Sequence, residues 1–142
     1  MLYSILSCVL FLVFTILSGL HFYWIFGGKW GIKQAIPTKT NKPPKLYVPK
    51  FETLIVALGL LFIALLYLQN ISIISLPISK KLVAYAYWII PSLFLIRAIG
   101  DFKYVGFFKK IVDTTFAKAD TKIFSPLCLG MSAFGFLVAF NF

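Results

Sequence analysis

Acidic and metal-binding side chains are scarce in this chain of 142 residues. It has four acidic residues, one histidine and two cysteines. A single histidine without a cluster of acids offers too few ligands for zinc or iron, and the two cysteines do not form a C-x-x-C pair. The sequence therefore predicts no metal site and no cofactor, and it argues against a thiol oxidoreductase.

Charge of either sign is also scarce, because charged residues make up 13% of the chain and hydrophobic residues 61%. In soluble domains about 25% of residues are charged. Four charge-poor stretches approach the length of about 20 apolar residues that crosses a bilayer. They lack the period of two that is typical of barrel strands, so they favour helices. We predict one all-α transmembrane domain over residues 1–142, a four-helix bundle with spans at about residues 2–26, 53–68, 82–100 and 126–140.

The lysines predict the orientation of these spans. Six lie between the first and second spans and five follow the third, whereas two lie between the second and third. The positive-inside rule then places the first and third loops in the cytoplasm and both termini outside. The net charge of +10 is explained by this topology and by attraction to anionic membrane lipids, so no nucleic-acid partner is predicted.

Both cytoplasmic loops contain features beyond a simple connection. The first, residues 27–50, combines prolines with apolar side chains and is predicted to be an ordered cover on the membrane surface. The third contains "FFKKIVDTTFAK", whose apolar residues between Phe108 and Phe116 share one helical face, which predicts an interfacial amphipathic helix. Ser125 and Pro126 then predict the start of the fourth span, as a capping hydroxyl and a proline at the first helical position.

A polar stripe follows one face of the first span and consists of Ser4, Ser7, Thr15 and Ser18. Small hydroxyl residues let helices approach closely and bond to each other, so the stripe is interpreted as a packing seam. A second interpretation is the polar wall of a cavity that ends at His21. A matching seam in the fourth span, through Ser132 and Gly135, is interpreted as packing.

Arg97 and Asp101 are the ionisable residues of the third span and stand four positions apart. At helical spacing they share a face near the cytoplasmic end, so we expect them to pair. Ionisable groups in spans are costly and mark function or pairing. The pair is therefore either a structural clamp or part of a functional site.

His21 is predicted at the same depth as that pair. Trp24 fits the inner aromatic belt, and Gly27 and Gly28 allow a sharp turn below it. A lone histidine is either a packed, hydrogen-bonded residue or an imidazole that moves protons or holds an anion. Asp120 is either a cap before the fourth span or a further site residue. The ligand-binding or proton-relay candidates are His21, Trp24, Arg97, Asp101 and Asp120.

Three motifs, in this order, carry a resemblance to a known family. They are "HFYWIFGGKWG", "RAIGDFKYVGFFKK" and "FAKADTKIFSPLC". Together they resemble a family of small bacterial integral membrane proteins, domain of unknown function 3995. The resemblance implies four spans and a bacterial cytoplasmic (inner) membrane, and it implies no reaction. Its structural motif positions fall here on Gly27, Gly28, Gly100, Ser125 and Pro126.

Two classes of function follow from these residues. In the first, the protein is a binding or accessory module with a site at the cytoplasmic end, formed by His21, Arg97 and Asp101. Its candidate partners are a lipid headgroup, a small amphipathic or anionic ligand, a partner membrane protein or a second copy of the chain. In the second, it is a small proton-coupled transporter or intramembrane enzyme that uses His21 and Asp101 for proton transfer. The small size of four short spans favours the first class.

Overall fold

A computed structural model describes residues 1–37 and 48–142. These residues form helices and connecting segments and contain no strand, which confirms the all-helical fold. A π-helical turn over Asp120–Phe124 joins the last two helices. The α-helices are α1 (Leu2–Ile25), α2 (Ile32–Ala35), α3 (Lys50–Asn70), α4 (Lys80–Ile99), α5 (Thr115–Ala119) and α6 (Ser125–Ala139).

Within residues 1–37 and 48–142, four helical segments are long and apolar enough to cross a membrane. They are α1, α3, α4 and the continuous helix Thr115–Ala139, which combines α5, the π-helical turn and α6. The prediction of four spans is therefore confirmed. The fourth begins at Thr115, eleven residues before the predicted start at Pro126.

The helix passes through Ser125 and Pro126 instead of starting there. Ser125 has helical dihedral angles, φ −67° and ψ −45°, and its hydroxyl donates to Asp120. Proline has no amide hydrogen, and its ring clashes with the carbonyl four residues earlier in a regular α-helix. The wider π-helical turn directly before Pro126 relieves that conflict. The prediction of Ser125 as an N-cap is wrong.

The predicted amphipathic helix between Phe108 and Phe116 is absent from most of that range. The backbone is irregular over residues 100–114, which we name the 100–114 loop, and α5 begins only at Thr115. The Thr114 hydroxyl caps α5 by accepting from the Ala117 amide at 3.1 Å. Lys109, which the periodicity places on the exposed face, is buried in this irregular segment.

The first basic loop is helical at α2, where Ile32 is buried. The remainder of the predicted cover on the membrane surface, with Lys39, Lys42 and Lys45, lies at residues 38–47, outside the described residues.

The chain divides into two compact units, each described by itself. Unit 1 comprises Met1–Gly28, Val48–Pro91 and Ala133–Phe142, and unit 2 comprises Lys29–Tyr47 and Ser92–Ser132. Helices α4 and α6 therefore each contribute residues to both units.

In unit 1, α1 packs against α3 through the predicted serine seam. The Ser18 hydroxyl donates to the Ala57 carbonyl at 2.7 Å, and the Asn70 amide donates to the Ser7 hydroxyl at 2.8 Å. Both serines are buried. The packing interpretation is therefore confirmed for Ser7 and Ser18, whose hydroxyls would otherwise be unpaired inside a membrane.

Aromatic rings fill the centre of unit 1. The rings of Phe14 and Tyr67 stack at 5.8 Å, and those of Tyr67 and Tyr87 at 5.4 Å. Gly135 on α6 lies against Pro91 on α4, where an added Cβ would be 2.9 Å from the proline Cβ. The small residue therefore lets the two helices approach closely, as the sequence predicts for this seam.

Candidate functional site: a buried carboxylate with two cations

Asp120 lies at the start of the π-helical turn in unit 2, and its side chain is fully buried. One carboxylate oxygen, Oδ1, accepts from Arg97 Nη2 at 2.8 Å. The other, Oδ2, accepts from the Gly106 amide at 2.8 Å and from Lys109 Nζ and the Ser125 hydroxyl at 3.1 Å. We name these five residues the Asp120 cluster.

Lys109 is the most deeply buried cation of the cluster, with 1% of its side chain exposed. Its ammonium group donates to Asp120, to the Gly106 carbonyl at 2.8 Å and to the Thr121 hydroxyl at 2.6 Å. A lysine ammonium has three protons to donate. All three are used, so the ammonium group is fully hydrogen-bonded to Asp120, Gly106 and Thr121.

Arg97 forms the outer edge of the cluster, with 33% of its side chain exposed. Nη2 bonds to Asp120, whereas Nη1 is buried and has no hydrogen-bond partner within the described chain. Arg97 and Lys109 carry two positive charges against the single negative charge of Asp120. The cluster therefore has one surplus positive charge and a guanidinium with unused donors, which suits an anion.

Two glycines bring the 100–114 loop back to the end of α4. Gly100 ends α4 with a φ of 92°, and its amide donates to the Ile96 carbonyl at 2.8 Å. Gly106 has a φ of 88°, and a Cβ there would overlap the backbone of Ile99 and Gly100. This close backbone approach is what allows the Gly106 amide to reach Asp120.

Asp101 does not pair with Arg97, so the predicted pair is wrong. Its Oδ1 instead accepts from three backbone amides, those of Lys103, Tyr104 and Val105, at 2.9, 2.7 and 3.0 Å. The left-handed conformation of Gly100 ends α4 before the chain reaches Asp101. Arg97 and Asp101 are therefore not on one helical face, and the i, i+4 pairing does not apply to them. Asp101 organises the start of the 100–114 loop, while Arg97 pairs with Asp120.

The three amide bonds hold the pKa of the exposed Asp101 carboxyl below its usual range. A carboxylate with a lowered pKa stabilises the fold above the usual value of about 3.9, and this contribution is lost as the pH falls through the lowered value. We expect Asp101→Asn to lower the thermal midpoint in detergent at pH 7. The difference from the unmodified chain should shrink below about pH 4. Asp113→Asn, an exposed change in the same loop, is the matched control and should leave the thermal midpoint at pH 7 nearly unchanged.

His21 and Trp24 belong to unit 1, and their rings meet edge to face at 5.0 Å. The His21 Nδ1 lies 2.7 Å from the Leu17 carbonyl, so Nδ1 carries a proton and donates it. The packed, hydrogen-bonded interpretation therefore accounts for one nitrogen of the ring. The structure places His21 beside Trp24 in one unit, and Arg97 beside Asp120 in the other.

The double glycine after α1 is a helix-ending motif. Gly27 has a φ of 94°, and its amide donates to the Trp24 carbonyl at 3.1 Å. The Gly28 amide donates to the Tyr23 carbonyl at 2.9 Å, which completes a Schellman motif. The Tyr23 ring covers Gly28 where a Cβ would stand. The predicted sharp turn at these glycines is confirmed.

Sequence reasoning missed Lys109 and Gly106 as members of the cluster. Helical periodicity grouped Lys109 with the exposed residues Lys110 and Asp113, because the pattern treats every lysine as solvated. The available signal was the pair of glycines, Gly100 and Gly106, which indicates a folded-back turn where the pattern predicts a helix.

Four membrane-spanning segments and a charged cluster at the end of α4 define a multi-pass membrane protein. A family model described as protein of unknown function (DUF3995) matches residues 14–134. The chain belongs to this family, which confirms the resemblance carried by its three motifs. A comparison with curated proteins gave no match, and neither did a comparison with solved structures.

Proposed function

We propose that the protein is a membrane-embedded binding module that holds an anionic lipid headgroup at Arg97. The observation that carries this proposal is that Arg97 Nη1 has no hydrogen-bond partner among the described residues and lies beside a cluster with a surplus positive charge. Guanidinium groups bind phosphate through two parallel hydrogen bonds. Basic pockets among membrane helices are a recurrent binding site for headgroups.

Arg97 is free to bind an anion because Asp120 does not depend on it alone. Without Arg97, Asp120 still accepts from Gly106, Lys109 and Ser125. The buried carboxylate and ammonium therefore form a fixed base. Arg97 is the partly exposed residue of the cluster, and it is the residue that a ligand would reach. Its place in the last turn of α4 puts it near the level of the headgroups, where long basic side chains extend toward the interface.

The distribution of lysines supports a cytoplasmic position for this site, in a bacterial inner membrane with both termini outside. Cysteine accessibility in intact cells tests this orientation. With Lys110→Cys and Ile73→Cys in a cysteine-free background, a membrane-impermeant maleimide should label only the second. The reverse labelling pattern would contradict the orientation and place the site in the outer leaflet.

Proton transfer through His21 and Asp101 has weaker support as an alternative. Asp101 is held in its ionised form by three amides, so it is a poor proton acceptor near neutral pH. Asp120 and Lys109 neutralise each other and have used their hydrogen-bonding groups. A binding role requires none of these groups to change protonation state.

Native mass spectrometry of the detergent-solubilised protein with phosphatidylglycerol and phosphatidylcholine tests the proposal. We expect Arg97→Gln to weaken phosphatidylglycerol binding about tenfold or more, because a charged hydrogen bond contributes about 1.5–3 kcal/mol. Arg97→Lys should retain part of the affinity, because a lysine keeps the charge but loses the bidentate geometry. Lys118→Gln removes an exposed cation in α5, and this matched control should bind normally.

Inorganic phosphate as a competitor distinguishes a lipid from a soluble anion. Displacement of phosphatidylglycerol only at high phosphate concentration supports a headgroup site. Equal loss of lipid in Arg97→Gln and Lys118→Gln would show that binding follows the general basic charge, and the proposed site would be wrong. A bound second copy or another membrane protein, with no lipid, would also contradict the proposal.

A further inference from the structure

The 100–114 loop exposes large apolar side chains that its own fold gathers together. We name Phe102, Phe107, Phe108 and Val112 the phenylalanine patch, and their exposed fractions are 59, 43, 64 and 52%. The rings of Phe102 and Phe108 lie 6.4 Å apart. The Ile111 amide donates to the Lys103 carbonyl at 3.0 Å, which brings the chain at Val112 beside the chain at Phe102.

The hydrogen bonds of the loop keep this patch close to the bilayer. The loop connects the end of α4 directly to the fourth span, which begins at Thr115. Between these ends, the Phe107 amide donates to the Ala98 carbonyl of α4 at 2.9 Å, and Gly106 bonds to Asp120 within the fourth span. Phe107 is therefore bonded directly to α4, and Phe108 is the next residue. Phe102 lies three residues after the end of α4 at Ile99, and Val112 lies three residues before the fourth span at Thr115.

Charged side chains accompany the patch in the pattern of an interfacial segment. Lys103 and Lys110 are exposed next to the phenylalanines, whereas Lys109 is directed inward to Asp120. Apolar side chains flanked by exposed lysines bind at the boundary between headgroups and acyl chains, most strongly where the lipids are anionic. Binding at this boundary does not require a helix, because the hydrogen bonds of the 100–114 loop hold the phenylalanine patch and the lysines in place.

We propose that the phenylalanine patch inserts into the headgroup–acyl boundary of the leaflet next to the end of α4, and that its partner is the anionic bilayer surface. This inference rests on the exposure and attachment of the loop, and it does not depend on the anion site at Arg97. It replaces the amphipathic helix expected from periodicity with a folded loop that has the same preference for the interface.

Spin-label accessibility in nanodiscs of phosphatidylcholine and phosphatidylglycerol tests this inference on the full chain. A nitroxide is attached at Phe108→Cys, with Cys8 and Cys128 replaced by alanine, and its contact with oxygen and with a water-soluble nickel chelate is compared. We expect the label to lie about 5–10 Å below the headgroups, accessible to oxygen and shielded from nickel. The matched control, Asp113→Cys in the same loop, should be accessible to nickel.

Two results would overturn the inference. Equal nickel accessibility at Phe108 and Asp113 would place the patch in water. Shielding of Phe108 from both reagents would show that protein covers the patch, either a second copy or another partner. A label at Val112→Cys repeats the measurement at a second exposed position, so a folding defect of one variant does not decide the outcome.

Discussion

Asp120→Asn should lower the free energy of unfolding by about 3 kcal/mol, because it removes the counterion of a buried ammonium. Lys109 has 1% of its side chain exposed and cannot turn to water without breaking its bonds to Gly106 and Thr121. Asparagine also brings an amide donor against groups that themselves donate. Breaking a buried ion pair from one side typically costs about 3–5 kcal/mol. Equilibrium unfolding in mixed detergent micelles measures the loss.

Two further variants test the cause of that loss. Asp113→Asn removes an exposed carboxylate of the same loop and should change stability by less than about 0.5 kcal/mol. Combining Asp120→Asn with Lys109→Met removes both buried charges and should recover part of the stability. If the double variant is as unstable as the sum of its single changes, the ion pair is not the cause.

Gly106→Ala should strongly destabilise the 100–114 loop. Gly106 has a φ of 88°, where a side chain costs about 1–2 kcal/mol. The new Cβ would also overlap the backbone of Ile99 and Gly100, which cannot rotate away as a side chain can. We expect a loss of more than about 2 kcal/mol, and weaker lipid binding because the Gly106 amide would leave Asp120.

Gly130→Ala is the matched control for that change. Gly130 lies in α6, and an added Cβ would meet nothing within 4 Å. Alanine favours a helix over glycine by about 1 kcal/mol, so this variant should be as stable as the unmodified chain or slightly more stable. Equal losses at Gly106 and Gly130 would contradict the assignment of backbone strain and close approach at Gly106.

The four spans could be predicted because a backbone in hydrocarbon must form helices or a closed barrel. The apolar runs lack the period of two that barrel strands show, so helices remain. The serine seam of α1 was predictable for the same reason, since hydroxyls such as those of Ser7 and Ser18 must find partners within the protein. The glycines after α1 also indicate a turn from the sequence alone. All these features depend on local sequence and on the solvent properties of the bilayer.

The candidate site was predictable only in part, because its bonds join residues distant in sequence. Arg97 is 23 residues from Asp120, and Lys109 is 11. Helical periodicity predicts Asp101, the acid nearer in sequence, as the partner of Arg97. Periodicity alone does not detect that Gly100 ends the helix between these two residues. Asp120 lies in a π-helical turn within the fourth span. The sequence does not predict this position, because a proline such as Pro126 commonly marks a helix start.

The most direct test of the anion site is the distance between Arg97 and lipid phosphorus. Arg97 is the only arginine in the sequence, so protein grown on ¹⁵N-arginine and reconstituted in phosphatidylglycerol bilayers reports this side chain alone. In a solid-state NMR dipolar recoupling experiment, ³¹P should dephase the Arg97 Nη signals. The unmodified chain should show this dephasing, because Arg97 Nη1 already lacks a hydrogen-bond partner among the described residues. The bond from Arg97 to Asp120 therefore does not have to be removed first. Nη signals that ³¹P leaves undephased in the fully folded protein would contradict a headgroup at Arg97.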